Sequence, residues 1–500
     1  MGGQKKQPEK REEPKRKMLK IVSEFVEQFR RNQVRYVHFK SNEHLNRSVE
    51  GSTDFDILVD RESAGDYEKI LLNLDFKRFV PQKYGTYPGV DDWIGMDYDT
   101  GRFVHLHTHY QLVTGKSGYK NYVLPWKDIL LDSAVDSPDY GIKIIPPELE
   151  AIELFTRAVL KAPENKLRKY RRKGYAFSGD YRKELTWLQE QIHMEKMPLY
   201  LEKCFPNAEG LKPDFFLKTA LTAEEFRSWE KKVMERVRCQ ERRGMQFVNI
   251  RSLWAKYSVK IFRKLKKHAF LPGKLMKKTP HTGGLSIAFL GVDGSGKSTV
   301  TAEIEKWLSW KFEVSKMSLG IGRQKSTTGY KRKKKLKALL KGSNGKPKAS
   351  PKSKDCPEEQ SYKLRKRILK YARAVRKDIV RMKSYTLNGG IMILDRYPQT
   401  QYFGISDGPK ILSRYEKMSQ KERKLLEIVK DVQPDVVFKL DVPVEVSKAR
   451  RPNDDEEILK KKYAILKDVA YPEAKTFTID GTVPLEEELL TIKRIIWKLL

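Results

Sequence analysis

Cysteine is scarce in this 500-residue chain: Cys204, Cys239 and Cys356 are odd in number and far apart. Such spacing carries neither a disulfide framework nor a zinc-ligand motif, and it fits a reducing compartment. There is no run of 18 apolar residues, so no stretch reads as a membrane-spanning helix. The opening MGGQKKQPEKREEPKRK lacks the apolar core of a signal peptide, and a cytoplasmic location is expected. Acidic residues are in deficit: 65 Asp and Glu stand against 101 Lys and Arg, a formal net charge of +36, with none between Arg323 and Lys354. This excess implies anionic partners such as nucleotides, nucleic acid, anionic glycan or lipid headgroups, and does not choose among them. The apolar share of 39% still suffices for ordinary cores. The length suggests about two to four domains, because single cores stop growing near ~250–300 residues.

What is present speaks most clearly at Leu285 to Thr299, LSIAFLGVDGSGKST. Leu285 to Leu290 is a short apolar run suited to a parallel sheet covered on both faces, and Ser298 to Leu308 resumes as helix. Between them Gly291, Gly296, Lys297 and Ser298 match G-x-x-x-x-G-K-S, the phosphate-binding loop. The glycines let the backbone curl until several N–H groups point at one anion, and the helix adds its positive N-terminal end. Gly291, Asp293, Gly294, Ser295, Gly296, Lys297, Ser298 and Thr299 are thus the candidate nucleotide-binding residues. Lys297 is expected at the β- and γ-phosphates of ATP, and the Ser298 hydroxyl at Mg²⁺. The alternative, a glycine-rich turn that binds nothing, does not account for the strand before it and the helix after it.

GVDGSGKST resembles the phosphate loop of thymidylate kinases, whose loop acid, here Asp293, faces the sugar of the monophosphate substrate. Two further segments carry the same resemblance: IMILDRY at 391–397 and PDVVFKLDVP at 434–443. Together they imply that residues 285–500 form a parallel sheet with helices on both faces. They also imply that Asp395 orients Mg²⁺, that Arg396 and Tyr397 bind the acceptor, and that Arg450 or Arg451 closes over the transferred phosphoryl, with Lys460 to Lys462 as alternatives. Arginine suits phosphate because its planar fork grips two oxygens at once. Two departures stand out. The lysine-dense stretch at 323–354 replaces the family's arginine-bearing segment and reads as an insert, and PQTQYFGISDGP at 398–409 replaces the stretch that lines the base pocket.

Before this region, residues 1–17 read as a disordered basic arm. Leu19, Val22, Phe25, Val26 and Phe29 then recur at helical spacing, and a strand follows at 34–39. Asp54 and Asp56 alternate with Phe55 and Ile57, which sends both carboxylates to one face of a strand. Paired acids of this kind can hold two Mg²⁺ ions. With Ser41 twelve intervening residues upstream, the pattern resembles polymerase-beta-like nucleotidyltransferases, although Lys40 stands where that family has glycine. The resemblance implies an α+β domain over 18–146 with Ser41, Asp54 and Asp56 in its site and a third acid nearby, for which Asp97 and Asp99 are candidates. His105, His107 and His109 share one face of FVHLHTHY, as metal ligands, a polar sheet face or part of a phosphate pocket.

Residues 147–271 read as a helical extension, with Trp187, Trp229 and Trp254 expected in its core. Val259, Ile261, Phe262, Leu265 and Phe270 beside basic residues form an amphipathic stretch that can lie on an anionic membrane surface. PGKLMKKTPHTGG at 272–284 is the expected linker.

The sequence thus predicts an α/β protein: an α+β nucleotidyltransferase-like domain with a helical extension, then a P-loop kinase domain. The expected activity is ATP- and Mg²⁺-dependent phosphoryl transfer to a nucleoside monophosphate. A sugar or glycan-linked acceptor, with nucleotidyl transfer by the first half, is the second reading. An ATP-driven nucleic-acid-binding or switch protein is the third, although no nucleic-acid motif supports it.

Overall fold

In the computed structural model the described residues are 18–81, 85–116, 118–206, 211–239, 244–268, 277–319, 357–402, 405–408 and 420–500. The basic insert and part of the amphipathic stretch and linker lie outside them. The protein is α/β and divides into two compact units, one drawn from residues before 258 and the other almost entirely from residues 258–500.

The first unit is built on a mixed sheet. Its strands lie in the order Lys77–Val80, Val90–Met96, Phe103–His109, Phe55–Val59, Tyr36–His38, Lys143–Ile144 and Val135–Asp136. Phe55–Val59 runs antiparallel to Tyr36–His38 and parallel to Phe103–His109, with Asp56 opposite His107. The period-two alternation divides this strand between two cores. Phe55, Ile57 and Val59 pack with Val22, Phe25 and Phe29 of helix Lys20–Arg31, while Leu58 faces the core around Trp126 and helix Pro147–Leu160. Asp54 and Asp56 alternate with the first set, as the sequence pattern requires.

Helix Pro147–Leu160 is buried nearly all round, so it carries polar residues only where partners meet them. Trp229 joins its core and donates its indole N–H to Phe155 O at 3.2 Å, and Trp187 packs partly buried against the same core. Trp254 differs from expectation: it is 70% exposed, on helix Gly244–His268. On that helix Ile250, Leu253, Tyr257 and Ile261 are exposed as well, so Trp254 belongs to the helix face that the core does not cover.

The second unit is a parallel sheet in the order Val314–Met317, Ile391–Leu394, Ser286–Leu290, Val436–Asp441 and Lys475–Asp480. Ile391–Leu394 is buried at all four positions, the mark of a strand covered on both faces. Ala372, Val375 and Ile379 of helix Pro357–Leu387 pack on it with Val437 and Tyr471. Asp435 fixes the register of the central pair: its carboxylate accepts from the Ser286 N–H at 2.7 Å and the Ser286 hydroxyl at 2.6 Å.

Candidate functional site

The central strand Ser286–Leu290 delivers its chain into a loop that turns at Gly296 (φ +83°) into helix Lys297–Leu308. Two glycines are required here. A Cβ at Gly291 would stand 2.4 Å from Ser295 Oγ, and one at Gly294 (φ +86°) would stand 2.8 Å from the Ser447 carbonyl. Ser295 is buried, and its hydroxyl oxygen has no hydrogen-bond partner among the described residues. The Lys297 ammonium folds over the loop and donates to Gly291 O at 2.7 Å and Val292 O at 3.2 Å. Burial, then the nearby Arg396 charge, pushes it down to about 8 against the pull of neighbouring carboxylates.

The cleft above this loop measures about 680 Å³ counted to its open mouth, and Asp395, Arg396, Arg450 and Arg451 complete its walls. Asp395 follows the strand Ile391–Leu394 and is anchored by its own N–H on Met317 O at 3.0 Å. Arg396 lies 3.3 Å from Asp293 and 3.5 Å from Asp407. Lys462 reaches the other Asp293 oxygen at 2.5 Å. Burial disfavours the charged Asp293 carboxylate, but Lys462, Arg396 and Lys297 outweigh it and hold the group below its usual range. Arg450 crosses the loop, donating to Gly294 O and Gly481 O at 3.3 Å each, whereas Arg451 pairs loosely with Asp454 at 3.8 Å.

Tyr397 is the exception among the expected residues. It is 1% exposed, packs on Tyr471, and donates its hydroxyl to Val432 O, so it supports the cleft from the core and does not line it. Asp407 and the Ser447 carbonyl had no motif to announce them, because each reaches the site through tertiary packing alone.

The site can hold a polyphosphate and Mg²⁺. The space beside Gly296 where a Cβ would project is open, a buried hydroxyl lacks a partner, Lys297 stands at the base, and Ser298 and Asp395 supply hard oxygens on the same cleft.

In the first unit the expected turn is closed by carboxylates. Ser41 adopts φ +58° and donates its N–H to Glu184 Oε1 at 3.2 Å. The Asn42 N–H and side-chain amide donate to the two oxygens of Glu150 at 2.9 and 2.7 Å. Glu184 also accepts from Arg157 at 2.6 Å. Burial, then the Glu184 charge, pushes the Glu150 carboxyl well above its usual range. The donors that a triphosphate would need are therefore taken.

Asp54 and Asp56 do share a face, but each is engaged. Asp54 lies 2.9 Å from His105 Nδ1, whose other nitrogen is 2.8 Å from Asp92. Asp56 contacts Lys40 at 2.8 Å and His107 Nδ1 at 3.0 Å. Burial alone would raise the Asp56 carboxyl; Lys40 and the two histidines instead hold it well below its usual range. Asp56, His107 and His109 present one donor atom each within 4.8 Å of one another. Mg²⁺ prefers an all-oxygen shell, and a site with Lys40 on its central carboxylate and imidazole beside it does not fit the expected Mg²⁺ pair. Asp97 is also elsewhere: it accepts from the Ile21 N–H at 3.2 Å and from Thr100, as a helix and turn cap.

No protein-family model matches the chain. YghR of Escherichia coli K12, described as an uncharacterized ATP-binding protein, is 24% identical over 214 residues, covering 41% of this chain and 83% of YghR. YghS of the same strain, described in the same words, is 26% identical over 233 residues, covering 42% of this chain and 91% of YghS.

Proposed function

We infer that the second unit binds ATP and transfers its γ-phosphoryl group to an anionic acceptor, with a nucleoside monophosphate favoured. One observation carries this reading: Lys297, Asp395, Arg396 and Arg450 converge on a glycine-built cradle at the C-terminal edge of a parallel sheet. The ATP-binding description of the two relatives supports the nucleotide-binding part of this reading. The loop N–H groups and Lys297 would hold the β- and γ-phosphates, and Lys297 would leave the Gly291 and Val292 carbonyls to do so. Ser298 and Asp395 would hold Mg²⁺, which when bound supplies charge neutralisation between the phosphates. Arg396 would present the acceptor's phosphate, whose oxygen forms the new P–O bond as the bond to the ADP oxygen breaks. Arg450 lies over the loop, where it would offset charge on the moving phosphoryl group.

A sugar acceptor is the second reading. Asp293 and Asp407 flank Arg396, and carboxylates suit hydroxyl groups better than a second phosphate. For the first unit, a nucleotidyltransferase-like fold kept as a binding module agrees with the closed turn at Ser41.

A screen with γ-labelled ATP and Mg²⁺ over deoxynucleotide, ribonucleotide and sugar-phosphate acceptors tests the proposal on wild type and Lys297→Ala. Lys297-dependent labelling of thymidylate supports the first reading, and labelling confined to sugars selects the second. Labelling that survives in Lys297→Ala would overturn both.

A further inference from the structure

A second cleft lies within the first unit, on the sheet face that carries Asp56. It is an open cleft of about 410 Å³ when the solvent at its mouth is included, and its ionisable lining is Lys40, His109, Lys120, Glu153, Arg157 and Lys161. Four of these are basic side chains and one is a carboxylate, so basic groups predominate in the wall.

Two wall groups lack partners among the described residues. The Lys161 ammonium, at the C-terminal end of helix Pro147–Leu160, makes no hydrogen bond or ion pair there, while its backbone N–H donates to Arg157 O at 3.0 Å. By contrast Lys40 is matched by Asp56, and Arg157 by Glu153 and Glu184. Lys120 stacks over Tyr87 at 4.5 Å. Desolvation, then the Lys40 and Arg157 charges, pushes the Lys161 ammonium down to about 7, although the residue is exposed and solvent screens part of that effect.

His109 is the second. It is 2% exposed, and its Nδ1 has no partner. Its tautomer follows from its neighbours. Asp56 is ionised and can only accept, so the proton between it and His107 sits on His107 Nδ1. His109 Nε2, 3.4 Å from that same nitrogen, is then the acceptor, and the His109 proton is left on Nδ1. A buried N–H donor with no acceptor thus joins an unpaired ammonium in one cleft.

Electrostatics decides what can enter. Asp56, His107 and His109 could form a small metal site by distance alone. Yet the protons on His107 Nδ1 and His109 Nδ1, together with Lys40 on the carboxylate, oppose a divalent cation. The same arrangement favours a dianion, whose oxygens can accept from ammonium and imidazole donors on several sides. Phe39, Leu112 and Leu124 supply an apolar floor for an organic body. We propose that this cleft is a phosphomonoester-binding site, in which Lys40, Lys161 and His109 hold the phosphate of a small organic molecule without a metal.

The site is tested by calorimetric titration of the full-length chain carrying Lys297→Ala, which removes phosphate binding at the loop of the second unit. The probes are phenyl phosphate, inorganic phosphate and Zn²⁺. The expected result is saturable one-site binding of phenyl phosphate, weakened about tenfold by Lys161→Ala, as fits one lost charge-assisted contact. Lys161 lies exposed at a helix end and its charge is disfavoured by its surroundings, so its variant should melt no lower than the parent. The His109 imidazole NMR signal provides a second readout and should shift on titration. Inorganic phosphate binding as tightly as phenyl phosphate would keep the site and make the free ion its ligand. No saturation by either phosphate probe, equal affinity in Lys161→Ala, or stoichiometric Zn²⁺ binding that excludes phosphate would each overturn the proposal.

Discussion

Lys297 offers the most direct test of the cradle, because its charge is costly until an anion arrives. Its ammonium is pushed down to about 8, while an unperturbed lysine titrates at 10.5. Below pH 8 both folded and unfolded chains carry this proton, and the folded chain bears the full penalty. Between 8 and 10.5 the unfolded chain binds more protons than the folded one, so stability rises with pH across that window. A shift of this size corresponds to about 3 kcal/mol at neutral pH, of which roughly 2 kcal/mol is relieved between about pH 7 and about pH 9.5. At about 2–4 °C per kcal/mol, the wild type should gain roughly 4–8 °C in Tm over that interval relative to Lys297→Met. Taking the difference between the two proteins cancels the tyrosines and other lysines that titrate nearby. The assay is thermal unfolding in nucleotide-free buffer at several pH values. Parallel pH profiles for the two proteins would refute the claim that Lys297 is held charged in a desolvating site. ATP with Mg²⁺ should raise the Tm of the wild type and leave that of Lys297→Met unchanged.

Asp395→Asn should lower Mg²⁺-dependent turnover by at least about 100-fold, since placing the metal is worth several kcal/mol, while nucleotide affinity measured without Mg²⁺ stays within a few-fold. Gly294→Ala should cost about 1–2 kcal/mol in unfolding experiments, from the positive φ, and should abolish nucleotide binding because its methyl group meets the Ser447 carbonyl. Arg450→Ala should reduce kcat by about 1,000-fold with a smaller change in KM, as for an arginine acting on the transferred phosphoryl; a loss confined to KM would assign it to ground-state binding instead.

The parts of the protein that local rules govern were readable from the chain. The strand, loop and helix around Gly291 to Ser298 form a unit because each residue's conformation depends on near neighbours. The buried strand Ile391–Leu394 needed only its apolar run. Tyr397 misled because a motif records that a residue recurs and says nothing of whether its hydroxyl faces a cleft or the Val432 carbonyl behind it. Lys462 was among the alternatives for the closing cation, but its pairing with Asp293, like that of Asp407 with Arg396, depends on how distant segments pack. Trp254 shows the same limit in reverse, since helical spacing puts it on a stripe but does not say that the stripe is covered.

The acids of the first unit make the sharpest contrast between pattern and environment. Asp-x-Asp on a strand sets two carboxylates on one face, and it did so here. What the pattern could not specify is that Glu150 and Glu184, more than a hundred residues away, occupy the N–H groups of Ser41 and Asn42. A triphosphate at that turn would have to displace Glu184, which is buried with Arg157, and breaking such a buried pair costs about 3–5 kcal/mol. That corresponds to a loss of roughly 100- to 5,000-fold in affinity, moving a micromolar ligand toward the millimolar range or beyond. Incubation of the protein with γ-labelled nucleoside triphosphates and Mg²⁺ should therefore release no labelled pyrophosphate above background. Pyrophosphate release that disappeared in the Asp54→Asn, Asp56→Asn double variant would show that the turn opens in solution, and the argument from its closed geometry would fail.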